Sequence, residues 1–311
     1  MPRHITIAAA QLGPIARRDS RQVVVRRLVA LMREAHDRGA DLVVFPEMAL
    51  TTFFPRWDIQ DVAEIDAYFE WEMPGADTLM LFTEAKRLGI AFYLGYCEGV
   101  HDADGRRHYN TSILVGPDGA IIGKYRKVHL PGTAVADPAA AAHYLERRYF
   151  DPGDLGFPVW RALGGIVGMC LCNDRRWPET YRVMALQGVE LVLLGYNTPA
   201  RLPDTPEHDH LRMFHNHLPM QAGAYQNTTW VIGVAKAGCE EGEDLIGGSC
   251  IIAPTGEIVA TAKSLDDELV VGEIDLDAVL ACRRVNFDFA LYRRPDQYRL
   301  IVERAGAVPP K

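Results

Sequence analysis

Apolar positions along the chain follow two rhythms. Short, nearly continuous apolar runs occupy residues 5–9, 42–45, 91–96, 111–115, 166–171 and 190–194. Runs of this length, bounded by turn residues, predict buried strands. Between them lie longer segments with helical spacing. In 21–36 the residues Val24, Leu28, Leu31 and Ala35 form one stripe, Ser20 stands where a cap is needed, and Gly39 follows the end. Segment 77–88 has the same character and closes on Gly89, 178–187 begins with a proline suited to a first turn, and 211–225 predicts a helix that Pro219 would kink. Two hairpin signals stand out. Gly116-Pro117-Asp118-Gly119 joins 111–115 to 120–123, and Pro254-Thr255-Gly256 joins 249–253 to 257–260 after a strand in the 230s. Strand and helix patterns that alternate in this way predict an α/β class. No linker divides the chain, so the pattern predicts one domain over 1–277 and a C-terminal extension over 278–311.

Composition narrows the class of function. The 311 residues contain 33 Lys and Arg against 41 Asp and Glu, a formal net charge of −8. That balance removes the electrostatic basis of non-specific nucleic-acid binding, although local arginines can still gather an anionic substrate. No apolar run approaches a membrane span, and the opening MPRHITIAAAQLGP is too short in its apolar core for a signal peptide. Six cysteines at 97, 170, 172, 239, 250 and 282, without a CxxC pair, make neither a disulfide framework nor a zinc ribbon. A reducing cytoplasm with free thiols is the simplest expectation, and no cofactor is implied.

Three polar residues end predicted strands. Glu47 follows Val43-Val44-Phe45-Pro46, Lys127 lies in the basic run that ends on Pro131-Gly132, and Cys172 follows the 166–171 strand. Ligands bind at strand C-termini in open α/β sheets. A thiol, a carboxylate and an ammonium brought together there make an activated nucleophile, a proton acceptor and a charge stabiliser. Singly, each has a plainer reading: a small core residue, a helix cap, a solvated charge. Two competing functions also follow from residue type. His208-Asp209-His210 and His215-x-His217 could serve a metallohydrolase, and a non-catalytic interaction protein would need none of these groups.

The surrounding motifs join the three residues. From about Ile5 to Asp275 the chain resembles the nitrilase superfamily of carbon–nitrogen hydrolases. The segments that carry the resemblance are FPEMALTTFFPRW (45–57), GKYRKVHLPG (123–132), FDPGD (150–154), CLCNDRRWPE (170–179) and IIAPTGEIVA (251–260). It implies a four-layer α-β-β-α sandwich with a catalytic triad of Glu47, Lys127 and Cys172 and a second glutamate at Glu146. Within that family TTFFPRW, CNDRRWPET, GYNTP (195–199) and HDH (208–210) resemble the N-carbamoyl-D-amino-acid amidohydrolases. That branch implies hydrolysis of a small N-carbamoyl amino acid to the D-amino acid, carbon dioxide and ammonia, by a protein without metal or membrane, as a homodimer or homotetramer. The substrate-binding residues implied are His129, His143, Tyr144, Asn173, Arg175, Arg176, Asn197 and Thr198, with the arginine pair suited to a carboxylate. The chain departs from the branch at Tyr144, where those enzymes carry histidine, and in the Ala-rich loop 133–142. His143 turning inward, or the Tyr144 hydroxyl, could substitute. The alternatives within the family are a β-ureidopropionase or an N-carbamoylputrescine amidase.

Overall fold

A computed structural model describes residues 3–103, 105–139, 143–202 and 205–310. In chain order the strands are β1 (His4–Gln11), β2 (Leu42–Val44), β3 (Ala91–Asp102), β4 (Gly105–Val115), β5 (Ile121–Arg126), β6 (Val159–Ala162), β7 (Gly165–Leu171), β8 (Leu191–Tyr196), β9 (Trp230–Ala235), β10 (Ala237–Glu240), β11 (Glu243–Ile246), β12 (Cys250–Ile252), β13 (Ile258–Thr261) and β14 (Glu268–Asp275). The helices are α1 (Arg21–Asp37), α2 (Val62–Asp66), α3 (Leu79–Leu88), α4 (Glu146–Tyr149), α5 (Pro178–Leu186), α6 (Arg212–Asn227), α7 (Ala278–Val285), α8 (Phe289–Tyr292) and α9 (Arg299–Glu303).

Two six-stranded sheets result, in the orders β14-β1-β2-β3-β4-β5 and β13-β12-β9-β8-β7-β6, with β10 and β11 forming a separate hairpin. Strand alternation explains how the first sheet is buried on both sides. Ile5, Ile7, Ala9, Val44 and Tyr93 face the second sheet and share a core with Met169, Leu171, Leu191 and Leu193. Ala8, Ala10, Val43, Phe92 and Leu94 face the other way, onto Val24, Leu28 and Met32 of α1 and Leu81 and Ala85 of α3. The second sheet is covered in turn by α5 and α6, through Tyr181, Met184, Met220 and Ala224. The layers are therefore α-β-β-α, as the resemblance implied. Strands buried on both faces lose their polar alternation, which is why they read as continuous apolar runs.

The differences from the sequence reading lie at ends and edges. β3 and β4 extend into one long antiparallel ribbon, with Asp102 paired to Gly105. The pattern gave no warning of the extension, because its far end, 101–103 and 105–107, is mostly polar and largely exposed. The α6 helix runs through Pro219 without ending. Ser20 caps α1, its side chain accepting from the Val23 N–H at 3.4 Å. The hairpin β10–β11 and strands β6 and β14 were not foreseen. Segment 278–311 starts in the core, since Val279 is fully buried, and then becomes mostly exposed. Its Phe287 and Phe289 rest on Tyr225 and Arg182 of α6 and α5. Among the described residues no helix is long and apolar enough to cross a membrane.

Candidate active site

The strands deliver three residues to one buried point. Glu47 lies three residues beyond the end of β2, Lys127 directly follows β5, and Cys172 directly follows β7. Glu47 and Lys127 are essentially inaccessible to solvent, and Cys172 is 7% exposed. Lys127 Nζ donates to Glu47 Oε1 at 2.8 Å and to Glu146 Oε2 at 2.5 Å. Asn110, on β4, donates to Glu47 Oε1 at 2.8 Å. Asn197 closes the other side: its backbone N–H and its Nδ2 both donate to Glu47 Oε2 at 3.0 Å, and its carbonyl accepts from Cys172 Sγ at 3.5 Å.

This arrangement sets the protonation states. Burial alone would raise the Glu47 pKa, but the Lys127 charge and the donors Lys127, Asn110 and Asn197 outweigh it and hold Glu47 below the usual carboxylate value. Glu146 has fewer donors. Burial, opposed by Lys127 and reinforced by Glu47, pushes it up to about 7. Burial disfavours the Lys127 ammonium, yet Glu146 and Glu47 reverse that and keep it charged. Burial and then the Glu47 charge raise the Cys172 thiol. At rest the proton therefore sits on sulfur, beside a carboxylate able to take it.

The turn after β7 aims the nucleophile. Cys172 opens a 3₁₀ turn, Cys172–Arg176, with φ +43°. Left-handed backbone at a non-glycine residue costs about 1–2 kcal/mol, so neighbours must hold it. Asp174 does so: its carboxylate accepts from the Leu171 N–H at 3.1 Å, the Tyr125 hydroxyl at 2.7 Å and the His129 N–H at 2.9 Å. The His129 ring, Nδ1 2.8 Å from the same carboxylate, stacks on Trp177 at 5.0 Å. His129 therefore supports the turn and lies off the cavity, contrary to its expected place against substrate.

Arg175 differs more sharply from expectation. It is 1% exposed, and its guanidinium donates to the Cys172 carbonyl at 2.5 Å, Thr198 Oγ1 at 2.9 Å and Asn216 Oδ1 at 2.6 Å, 4.6 Å from the centre of the Tyr196 ring. All of its reach goes into the protein, so it is a strut beneath the nucleophile and does not meet a substrate carboxylate. Arg176 does face the cavity. Desolvation in the concave wall and the Arg175 charge lower its pKa to about 10.

A cavity of about 280 Å³ opens over Cys172 and Glu146. Of the expected substrate-binding residues, Tyr144, Asn173, Arg176, Asn197 and Thr198 line it, while His129, His143 and Arg175 do not. His143 points away, with Nε2 2.8 Å from the Asp137 carbonyl. Gly132 packs so closely on the Tyr144 carbonyl that it leaves no room for a Cβ. Residues 140–142 of the Ala-rich loop lie outside the described residues. His208 and His215 meet edge to face with ring centres 6.4 Å apart, but among the described residues no three His, Cys, Asp or Glu side chains gather as metal ligands.

Several residues of the site escaped the sequence reading. Asn110, a polar residue inside a buried strand, was a usable signal. Asp174 sits inside a quoted motif and was passed over for its neighbours. Arg56, Arg212 and Glu243 also line the cavity; Arg56 lies inside the TTFFPRW motif, whereas nothing in the sequence context marks Arg212 or Glu243. Arg56 is already paired, with Nη2 3.2 Å from Glu240 Oε1. Arg176 and Arg212 have no carboxylate partner within salt-bridge distance among the described residues, and Arg212 Nε instead donates to the Pro199 carbonyl at 3.1 Å.

Comparison with known proteins adds the family. Residues 6–284 match the family model described as carbon-nitrogen hydrolase. N-carbamoylputrescine amidase of Solanum lycopersicum is 30% identical over 321 residues, covering 99% of this chain and 98% of that protein. Citrullinase of Francisella tularensis is 27% identical, covering 97% and 99%. The crystal structure of a carbon-nitrogen hydrolase from Helicobacter pylori G27 superposes with a TM-score of 0.83 at 25% identity, covering 97% and 99%. The names of these relatives differ from the branch implied by the 51–57 and 172–180 motifs. Family model, relatives and fold agree that the chain belongs to the carbon-nitrogen hydrolases, the nitrilase superfamily, and is an amidohydrolase of C–N bonds.

Proposed function

We propose that the protein hydrolyses N-carbamoyl amino acids, and D-enantiomers in preference to L, to the free amino acid, carbon dioxide and ammonia. The observation that carries this reading is the pair Arg176 and Arg212. Two guanidinium groups on one small cavity wall, neither of them ion-paired among the described residues, favour a substrate carboxylate. The D preference rests on the resemblance of TTFFPRW and CNDRRWPET to that branch.

In this mechanism Cys172 Sγ attacks the carbamoyl carbon as Glu47 takes the thiol proton. Two of the three Lys127 ammonium protons are held by Glu47 and Glu146, so the third and a backbone N–H near residue 173 serve the developing oxyanion. One of the two nitrogens leaves, taking its proton from Glu47, and Glu47 then activates water to cleave the C–S bond, which releases a carbamic acid that breaks down to carbon dioxide and the second amine. The same reading places the protein in the cytoplasm as a homo-oligomer.

N-carbamoylputrescine amidase activity is the second reading, favoured by the names of the relatives. Ammonia release from paired D- and L-N-carbamoyl amino acids and from N-carbamoylputrescine separates the two. The D-acids are expected to be turned over fastest. Faster turnover of the L-series would overturn the stereochemical part, and faster turnover of N-carbamoylputrescine the carboxylate part.

A further inference from the structure

The outer wall of the cavity is built from the β10–β11 hairpin. The hairpin is stitched to the chain that follows β8: Ile246 N–H donates to the Thr198 carbonyl at 3.0 Å, and Ala200 N–H donates to the Asp244 carbonyl at 2.7 Å. Its first β11 residue, Glu243, lines the cavity together with Leu245 and Tyr144. Glu243 is partly buried, and the Tyr144 side chain hydrogen-bonds to its carboxylate.

No internal ion pair accounts for this charge. Arg56, the nearby cation, attracts the Glu243 charge without pairing with it: its guanidinium is bound to the Glu240 carboxylate, which Lys236 shares, and to the Glu240 carbonyl, and Glu243 forms no salt bridge among the described residues. Glu146, the other carboxylate on the wall, is engaged by Lys127. Among the described residues the cavity thus has two cations without a carboxylate partner, Arg176 and Arg212, and one carboxylate outside the triad that forms no salt bridge. Desolvation raises the Glu243 pKa, with Arg56 and Tyr144 opposing. A partly desolvated carboxylate gains from a cation more than a solvated one does.

We propose that Glu243 is a specificity-determining residue that selects substrates whose far end carries an ammonium group, so that the preferred N-carbamoyl amino acid has a cationic side chain. This rests on the reading given under Proposed function for the ureido group and the carboxylate, and it adds the side chain. A neutral isostere would leave Glu243 partly desolvated without a cation, and an acidic side chain would meet it with like charge, so discrimination comes from both attraction and repulsion.

The test uses matched pairs. N-carbamoyl-D-lysine is compared with N-carbamoyl-D-norleucine, and N-carbamoylputrescine with N-carbamoylbutylamine, on the wild-type enzyme, Glu243→Gln and Glu243→Asp. Wild type is expected to favour the cationic member of each pair by about tenfold in kcat/KM, the size of one well-placed charge contact. Glu243→Gln is expected to bring both ratios near one, and Glu243→Asp to retain most of the preference. Loss of stability alone would lower both members of a pair together and leave the ratio unmoved. A wild-type ratio near one, or a ratio that survives Glu243→Gln, overturns the role of Glu243. Better turnover of the pair lacking a carboxylate, with the ratio still lost in Glu243→Gln, overturns the carboxylate reading and leaves Glu243 standing.

Discussion

Arg175 and Arg176 carry the same guanidinium one residue apart, and a tight turn sends one into the core and the other to the cavity. Their substitutions should fail differently. Arg175→Ala removes donors from three buried oxygens and is expected to destabilise the fold by about 3 kcal/mol, visible as a lowered melting temperature. Arg176→Ala should melt close to wild type and raise KM for carboxylate substrates by about ten- to a hundredfold, the worth of a charged hydrogen bond. Glu146 gives a prediction in pH. Its carboxyl titrates near 7 in the fold against an ordinary 4.5, so the native state holds this proton more tightly than the unfolded chain. The stability it contributes is fully present below pH 4.5 and is lost as pH rises through about 7. Between pH 5 and 8 the melting temperature of wild type should therefore fall further than that of Glu146→Gln, and parallel curves would contradict the assignment.

At the scale of elements, the site depends on how closely the sheets approach. Gly195 in β8 passes so near the chain at Glu47 that an added Cβ would lie 2.2 Å from the Glu47 nitrogen and 2.5 Å from the Pro46 carbonyl carbon. Both are backbone atoms, and they can give way only if the whole segment moves. Tyr93 fixes the same spacing from β3, donating to the Cys170 carbonyl and accepting from the Gly195 N–H, each at 3.1 Å. Gly195→Ala is expected to displace Glu47 and lower kcat on the order of a hundredfold, as ångström-scale misplacement of a catalytic group does, with a smaller effect on KM. Steady-state kinetics of the purified variant checks this. Loop 48–57 is held from below by an aromatic cluster in which Phe54 stacks on Tyr68 at 4.4 Å. Buried Glu240 fastens its upper side, accepting from the Phe53 N–H at 2.7 Å and from Lys236 Nζ at 3.0 Å. These contacts keep Phe53 and Arg56 on the cavity wall.

For the whole molecule, a net charge of −8 coexists with a cavity lined by Arg176 and Arg212, neither ion-paired among the described residues, so the overall sign describes the surface and not the site. The C-terminal segment after α7 exposes Leu291, Tyr292, Ile301 and Val302, the last at 88%. Apolar exposure of this extent on a contiguous segment is unusual for a free monomer surface. Sedimentation velocity at micromolar concentration is expected to give a dimer or tetramer, and a single monomeric species across a hundredfold concentration range would count against it. The strands of the sandwich other than β6 and β14, the capped α1 helix and the strand-end positions of Glu47, Lys127 and Cys172 were legible in the sequence, because burial on both faces writes continuous apolar runs and chain reversal demands glycine and proline. The polar far end of the β3–β4 ribbon, the β10–β11 hairpin and the roles of Asp174, Arg212 and Glu243 were not, because each depends on partners distant in the chain. Sequence by itself determined which chemistry the protein carries and in which family of folds. Only the tertiary structure decided which arginine meets the cavity, which histidine turns outward and that the Glu243 carboxylate stands on the cavity wall, since side-chain direction is set by packing and hydrogen bonding across elements that local pattern does not record.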